Sequence, residues 1–113
     1  MLIIKDVQTI TVPVDILVPG DEAPSRVQAT WKLYDYTPAQ DRLAAIRAGE
    51  ITDEQLLTED LLDLAPLKDA AGNSLKYTPE LGLQLLEKTY IRMPLIQSWF
   101  PAQAGRAEAA AKN

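Results

Sequence analysis

The sequence predicts a single small α+β domain in which an N-terminal β-hairpin packs on three to four helices. Three observations predict it. Apolar residues alternate with period two as far as Leu33, they recur at helical spacing beyond it, and cap and turn residues punctuate the joins. With 113 residues, 47% of them hydrophobic, the chain has apolar material for one modest core and too little length for two. A compact domain is expected over residues 1–101, followed by an Ala-rich tail over residues 102–113 that is weakly ordered or engaged by a partner.

The hairpin is read over residues 7–18 and 25–33. Ile10, Val12, Val14, Ile16 and Val18 share one face of the first strand, with Thr9, Thr11, Pro13, Asp15 and Leu17 on the other. Pro13 has no N–H to donate, which places this strand at a sheet edge or interrupts it there. The turn formers of Pro19-Gly20-Asp21-Glu22-Ala23-Pro24 lead to a second strand, where Val27, Ala29, Trp31 and Leu33 alternate with polar residues. Two strands alone are marginal, so their apolar face needs cover from helices or a third strand.

Three helix starts follow. Thr37-Pro38-Ala39-Gln40 offers a cap, a proline at the first helical position and a Gln three residues after the cap, with Ala39, Leu43 and Ile46 as the stripe and Gly49 as the end. Thr52-Asp53-Glu54-Gln55 repeats the capping-box pattern, and Leu57, Leu61 and Leu64 continue at helical spacing until Pro66. Thr78-Pro79-Glu80 opens a third helix expected to run to Met93, because Pro94 disfavours continuation, with a further helical segment beyond it. Between the second and third helices, residues 68–74 read as a turn with short extended flanks at Leu67 and at residues 75–77.

The third helix carries more apolar residues than one face needs. Leu83, Leu86, Tyr90 and Met93 lie together at 100° per residue, whereas Leu81 and Leu85 project to the other side. That second set packs on the C-terminal segment or forms an exposed patch for a partner. Trp31 reads as core by strand alternation. Trp99, with Phe100, stands where the large apolar residues give way to AQAGRAEAAAKN, a tail with helix propensity and almost no anchoring surface. Leu81, Leu85, Trp99 and Phe100 are therefore the candidate partner-binding residues. Arg92, Arg106 and Lys112 read as solvated charges, with partner contacts as the alternative.

Chemistry is sparsely supplied. With no His and no Cys, nucleophile–histidine constellations, soft metal sites and disulfides are excluded. Glu59, Asp60 and Asp63 bunch on the second helix and read as a solvated acidic face, without the glycine of a calcium loop or a Glu-x-x-His pattern beside them. Asp69 to Asn73 reads as a plain turn, and the five scattered glycines make no phosphate cradle. No enzyme activity, catalytic residue, cofactor or metal is expected. Eleven basic against 16 acidic residues, a net charge of -5, disfavour a nucleic-acid or anionic-membrane partner. No run approaches the roughly 18 apolar residues of a spanning helix, and Met1-Leu2-Ile3-Ile4-Lys5 is too short for a secretion signal, so a soluble intracellular protein is expected.

The ensemble of Thr11-Val12-Pro13-Val14 with Pro19-Gly20, Ala29-Thr30-Trp31-Lys32-Leu33, Gly49-Glu50-Ile51-Thr52-Asp53-Glu54-Gln55-Leu56, Thr89-Tyr90-Ile91-Arg92 and the ending from Gln103 to Asn113 resembles the tail assembly chaperones encoded by long-tailed bacteriophages and prophages. The resemblance spans nearly the full chain and includes no residue-level binding motif. It implies a non-enzymatic factor, working in the cytoplasm of the bacterial host and absent from the mature virion. Its partner is the tape measure protein, expected to be long, helical and apolar-faced, to which it helps bring major tail tube protein subunits; self-association is a further expectation. The alternative is a small virion structural protein of the tail or head-tail connector, using the same surfaces for permanent contacts.

Overall fold

The computed structural model describes residues 1–105, and the fold is the expected α+β domain with an N-terminal hairpin against helices. Strands β1 (Thr9–Ile16) and β2 (Ser25–Lys32) pair antiparallel, with Ile10 opposite Trp31, Val12 opposite Ala29 and Val14 opposite Val27. Those six residues form one face, on which Val12, Ala29 and Trp31 have no exposed surface. The other face is polar and joined across the strands by a Thr11–Thr30 hydroxyl pair at 2.8 Å and by Arg26 on Asp15 at 2.7 Å. Bonding to Arg26 holds the Asp15 carboxyl below its ordinary range. β1 lies at the sheet edge, as Pro13 requires. The Leu33 amide donates to the Gln8 carbonyl, so even-numbered residues of β1 bond inward to β2 and the missing N–H of Pro13 faces the open edge.

Helix α1 (Tyr36–Arg47) begins at Asp35, two residues ahead of the expected Thr37 cap, and no side chain caps it. Helix α2 (Asp53–Asp60) begins as expected: Thr52 accepts from the Gln55 amide and the Gln55 side chain accepts from the Thr52 amide. It ends sooner than its Leu spacing suggests. Residues Leu61–Ala65 form strand β3, which pairs antiparallel with β2 and supplies the third strand that the hairpin lacked. Leu61 and Leu64 both point into the core although three residues apart, which a regular strand forbids. The register slips between Thr30 and Trp31, and Leu62 takes up the extra residue and remains 45% exposed. A bulged strand thus imitates the three-residue spacing of a helix.

The short antiparallel pair β4 (Leu67–Lys68) and β5 (Ser74–Leu75) overlaps the expected extended flanks at Leu67 and Leu75, and residues 76–77 lie outside it. Between them the Asp69 carboxylate accepts from the amides of Ala71 and Asn73, which makes the segment a self-bonded turn. The Asn73 amide is the main reason this carboxyl sits below its ordinary range.

The expected helix to Met93 is two helices, α3 (Pro79–Leu86) and α4 (Thr89–Gln97). Thr78 caps α3, with Pro79 in its first turn, as read from the sequence. Arg92 spans the break after Leu86. Arg92 folds back to donate to the Leu86 carbonyl at 2.8 Å, while its other nitrogens bond Asp53 at 2.8 Å and Glu54 in the first turn of α2. Arg92 is therefore a tie between three helices and not the solvated charge expected. Pro94 lies inside α4 and does not end it. Interior proline costs about 3 kcal/mol, and the helix bears it because Leu95, Ile96 and Trp99 are all buried beyond that point.

The break also redistributes the faces. Gly82 and Leu86 face inward on α3, Leu81 and Leu85 are half-buried, and Leu83 and Met93 are exposed. A Cβ at Gly82 would lie 2.7 Å from the Tyr77 hydroxyl and 2.8 Å from Leu57 Cδ2. That hydroxyl is buried with no hydrogen-bonding partner among the described groups, and burial pushes it up to about 12. Gly82→Ala is expected to destabilise the domain by about 1–3 kcal/mol through overpacking, and Tyr77→Phe to recover part of that loss by removing the nearest clashing atom. Urea denaturation of both single variants and the double variant measures the coupling; additive effects would show that the two sites do not share the contact.

Helix α5 (Trp99–Gln103) follows α4 through Ser98. The packed body extends past residue 101, because Ala102 is completely buried. The expectation of a weakly ordered or partner-binding tail otherwise falls on residues 106–113, which lie outside the described residues.

Candidate functional site

A concavity adjoins α1 and α5 and opens beside the end of β2. Its volume is about 490 Å³, and its lining includes Tyr34, Tyr36, Leu43, Arg47, Trp99 and Phe100. Gln103 fixes one end. Its side-chain carbonyl accepts from the Tyr34 amide at 3.0 Å and its amide nitrogen donates to the Lys32 carbonyl at 2.7 Å, which clamps α5 to the strand end.

Beside the groove lies Asp60, the last residue of α2 and fully buried. A carboxylate at a helix C-terminus opposes the helix dipole, and burial adds a desolvation cost. Three donors compensate. The Tyr34 hydroxyl donates to Oδ1 at 2.6 Å, while Arg42 Nε and Trp99 Nε1 each donate to Oδ2 at 2.9 Å. The Arg42 guanidinium stands over the Tyr34 ring, 5.3 Å from its centre, and reaches Glu59 at 3.2 Å. Burial would lower the Arg42 pKa, but the Asp60 carboxylate outweighs it and holds the guanidinium above its ordinary value. Burial, helped by the bond to Asp60, pushes the Tyr34 hydroxyl up to about 12, so it keeps its proton at neutral pH. Asp60 thus sets the positions of two aromatic residues of the groove, Tyr34 and Trp99.

This corrects the reading of a solvated acidic face over Glu59, Asp60 and Asp63. Asp60 is interior, and Asp63 belongs to β3 opposite Thr30, so it shares no helix face with Glu59. The helical pattern of Leu57, Leu61 and Leu64 concealed this. A sequence signal for Asp60 did exist: Arg42, Tyr34 and Trp99 are large groups with donors that a buried acceptor would satisfy, but only the folded chain brings them together.

The four candidate contact residues divide into two places. Trp99 and Phe100 both line the groove, with rings 5.2 Å apart in an edge-to-face pair at 86°. Trp99 is 2% exposed and anchors the groove from within, while Phe100 is 39% exposed. Leu81 and Leu85 sit on α3, outside that lining, and Leu85 packs against the core. The set expected on the other side of the third helix is split, with Leu86 buried and Leu83 and Met93 exposed, because Gly82 and Leu86 face inward.

The groove offers apolar and aromatic contact with one guanidinium, that of Arg47, and no carboxylate in its described lining. Such a surface suits binding. Among the described residues no cluster of metal-ligating side chains occurs, and no helix is long and apolar enough to cross a membrane. No family model, curated protein or solved structure matches the chain.

Proposed function

We propose that the chain is a tail assembly chaperone of a long-tailed phage or prophage that binds the tape measure protein. The observation that carries this reading, beside the sequence resemblance, is the open aromatic groove by α1 and α5, in which Trp99 is fixed by Asp60 and Phe100 remains accessible. An amphipathic helix places its apolar anchors in a groove of this kind, and aromatic residues supply contact area at low entropic cost. Covering such anchors on a long helical cargo keeps it from aggregating before assembly.

Co-expression with the cognate tape measure protein is expected to give a complex and to raise that protein's soluble yield several-fold. Phe100→Asp combined with Tyr36→Asp, at positions 39% and 78% exposed, should abolish both effects with an unchanged circular dichroism spectrum. A folded wild-type chain that gives no complex and no solubility gain, yet is present at fixed stoichiometry in purified virions, would replace this reading with the virion structural subunit.

A further inference from the structure

The chain begins with an arm that the fold leaves uncovered. Residues 1–8 have no regular secondary structure, and Leu2, Ile3, Ile4 and Val7 are 86%, 62%, 91% and 53% exposed. Three adjacent aliphatic residues, Leu2 to Ile4, with Val7 beyond Lys5 and Asp6, are unlike the single exposed apolar residues that cover any protein surface. Its root lies at the mouth of the groove: Gln8 bonds Leu33, the next residue Tyr34 is part of the groove, and Gln103 holds Tyr34 and Lys32 together there.

We propose that the arm of one copy lies in the α1–α5 groove of a second copy, whose arm returns the contact in a two-fold exchanged dimer. Reciprocal exchange satisfies both apolar surfaces with one self-complementary interface. The sequence favours exchange over folding back. No Gly, Pro or Asn stands between Met1 and Val12, and Ile3, Ile4 and Val7 favour extended backbone, so the arm has little means of reversing onto its own groove. Extended, residues 1–7 span about 23 Å. Pro13 argues against the competing arrangement, in which copies join along the open edge of β1, because it removes a donor from the middle of that edge. The groove's single charged lining residue, Arg47, has Asp6 as a complement in the arm, while Lys5 beside it has none in the lining.

The proposal does not rest on the tape measure reading, but both place an occupant in the same groove, so arm and tape measure helix exclude one another there; variants in the arm, outside the groove lining, test the dimer alone. Analytical ultracentrifugation of the full chain should show a concentration-dependent dimer. Leu2→Asp with Ile4→Asp, both on exposed side chains, should weaken its dissociation constant by more than about tenfold with the thermal midpoint of the dilute monomer unchanged. The absence of cysteine permits a direct test of geometry. Copies carrying Ile4→Cys, mixed with copies carrying Phe100→Cys, should form an interchain disulfide under mild oxidation; Tyr36→Cys replaces the second if Phe100→Cys impairs folding. A chain that stays monomeric throughout overturns the proposal, as does a dimer indifferent to the aspartates. So does a disulfide that closes within single chains carrying both cysteines while the mixed copies remain unlinked.

Discussion

Asp60→Ala is expected to destabilise the domain by about 3–5 kcal/mol, a large part of the roughly 5–15 kcal/mol available to a domain of this kind. The loss comes less from the missing carboxylate than from what it leaves behind. Arg42 Nε, Trp99 Nε1 and the Tyr34 hydroxyl all donate to it, and its removal leaves three donors, one charged, without this acceptor at a buried position. Asp60→Asn keeps the shape and one acceptor oxygen but presents an amide N–H₂ to neighbouring donors, so an intermediate loss is expected. Urea denaturation followed by tryptophan fluorescence measures both, and the same variants should weaken any ligand of the groove because Tyr34 and Trp99 lose their common anchor. A loss below about 1 kcal/mol for Asp60→Ala would place it with an exposed pair and show that the network is not closed.

Trp31→Ala is expected to cost a comparable amount, about 3–5 kcal/mol, through a different cause. Trp31 has no exposed surface, lies opposite Ile10 in β1 and next to Leu61 in β3, and is the largest side chain on the inward face of the sheet. Its indole N–H also donates to Ser98 Oγ at 2.9 Å, and Ser98 in turn donates to the Leu95 carbonyl at 2.6 Å at the junction of α4 and α5. One residue therefore fills the core and fixes the helical turn behind the groove. Trp31→Phe separates the two roles: most of the apolar contact remains, the Ser98 bond is lost, and a cost of about 1–2 kcal/mol is expected. Thermal unfolding of the two variants should rank them in that order, and equal losses would mean that the hydrogen bond, not the packing, dominates.

Much of the fold was legible in the chain because its signals are local. The period-two alternation of residues 10–18 and 27–33 identified the hairpin and its inward face, Pro13 identified the sheet edge, and the Thr52 and Thr78 caps located the starts of α2 and α3. Each of these depends on backbone geometry within a few residues, where a side chain reaches its own main chain or a strand shows its two faces. The absence of His and Cys likewise bounded the available chemistry without any structure.

What only the tertiary structure decided involves partners far apart in sequence. Leu61 and Leu64 follow a helical interval, yet β2 had an unpaired edge, and a bulge at Leu62 allowed both leucines to enter the core from a strand. Pro94 reads as a helix end, yet burial of Leu95, Ile96 and Trp99 carries the helix through it. Asp60 and Arg92 read as surface charges because a charge shows its cost in the sequence but not its partners. Their counterparts lie 18 to 39 positions away, and only the closed fold brings the opposite charges and donors near enough to offset desolvation. By itself the sequence determined where strands and helices can begin and which faces are apolar; the competition among those faces for a single core, settled by long-range pairing and burial, determined where the elements end and that Trp99 and Phe100 meet in a groove.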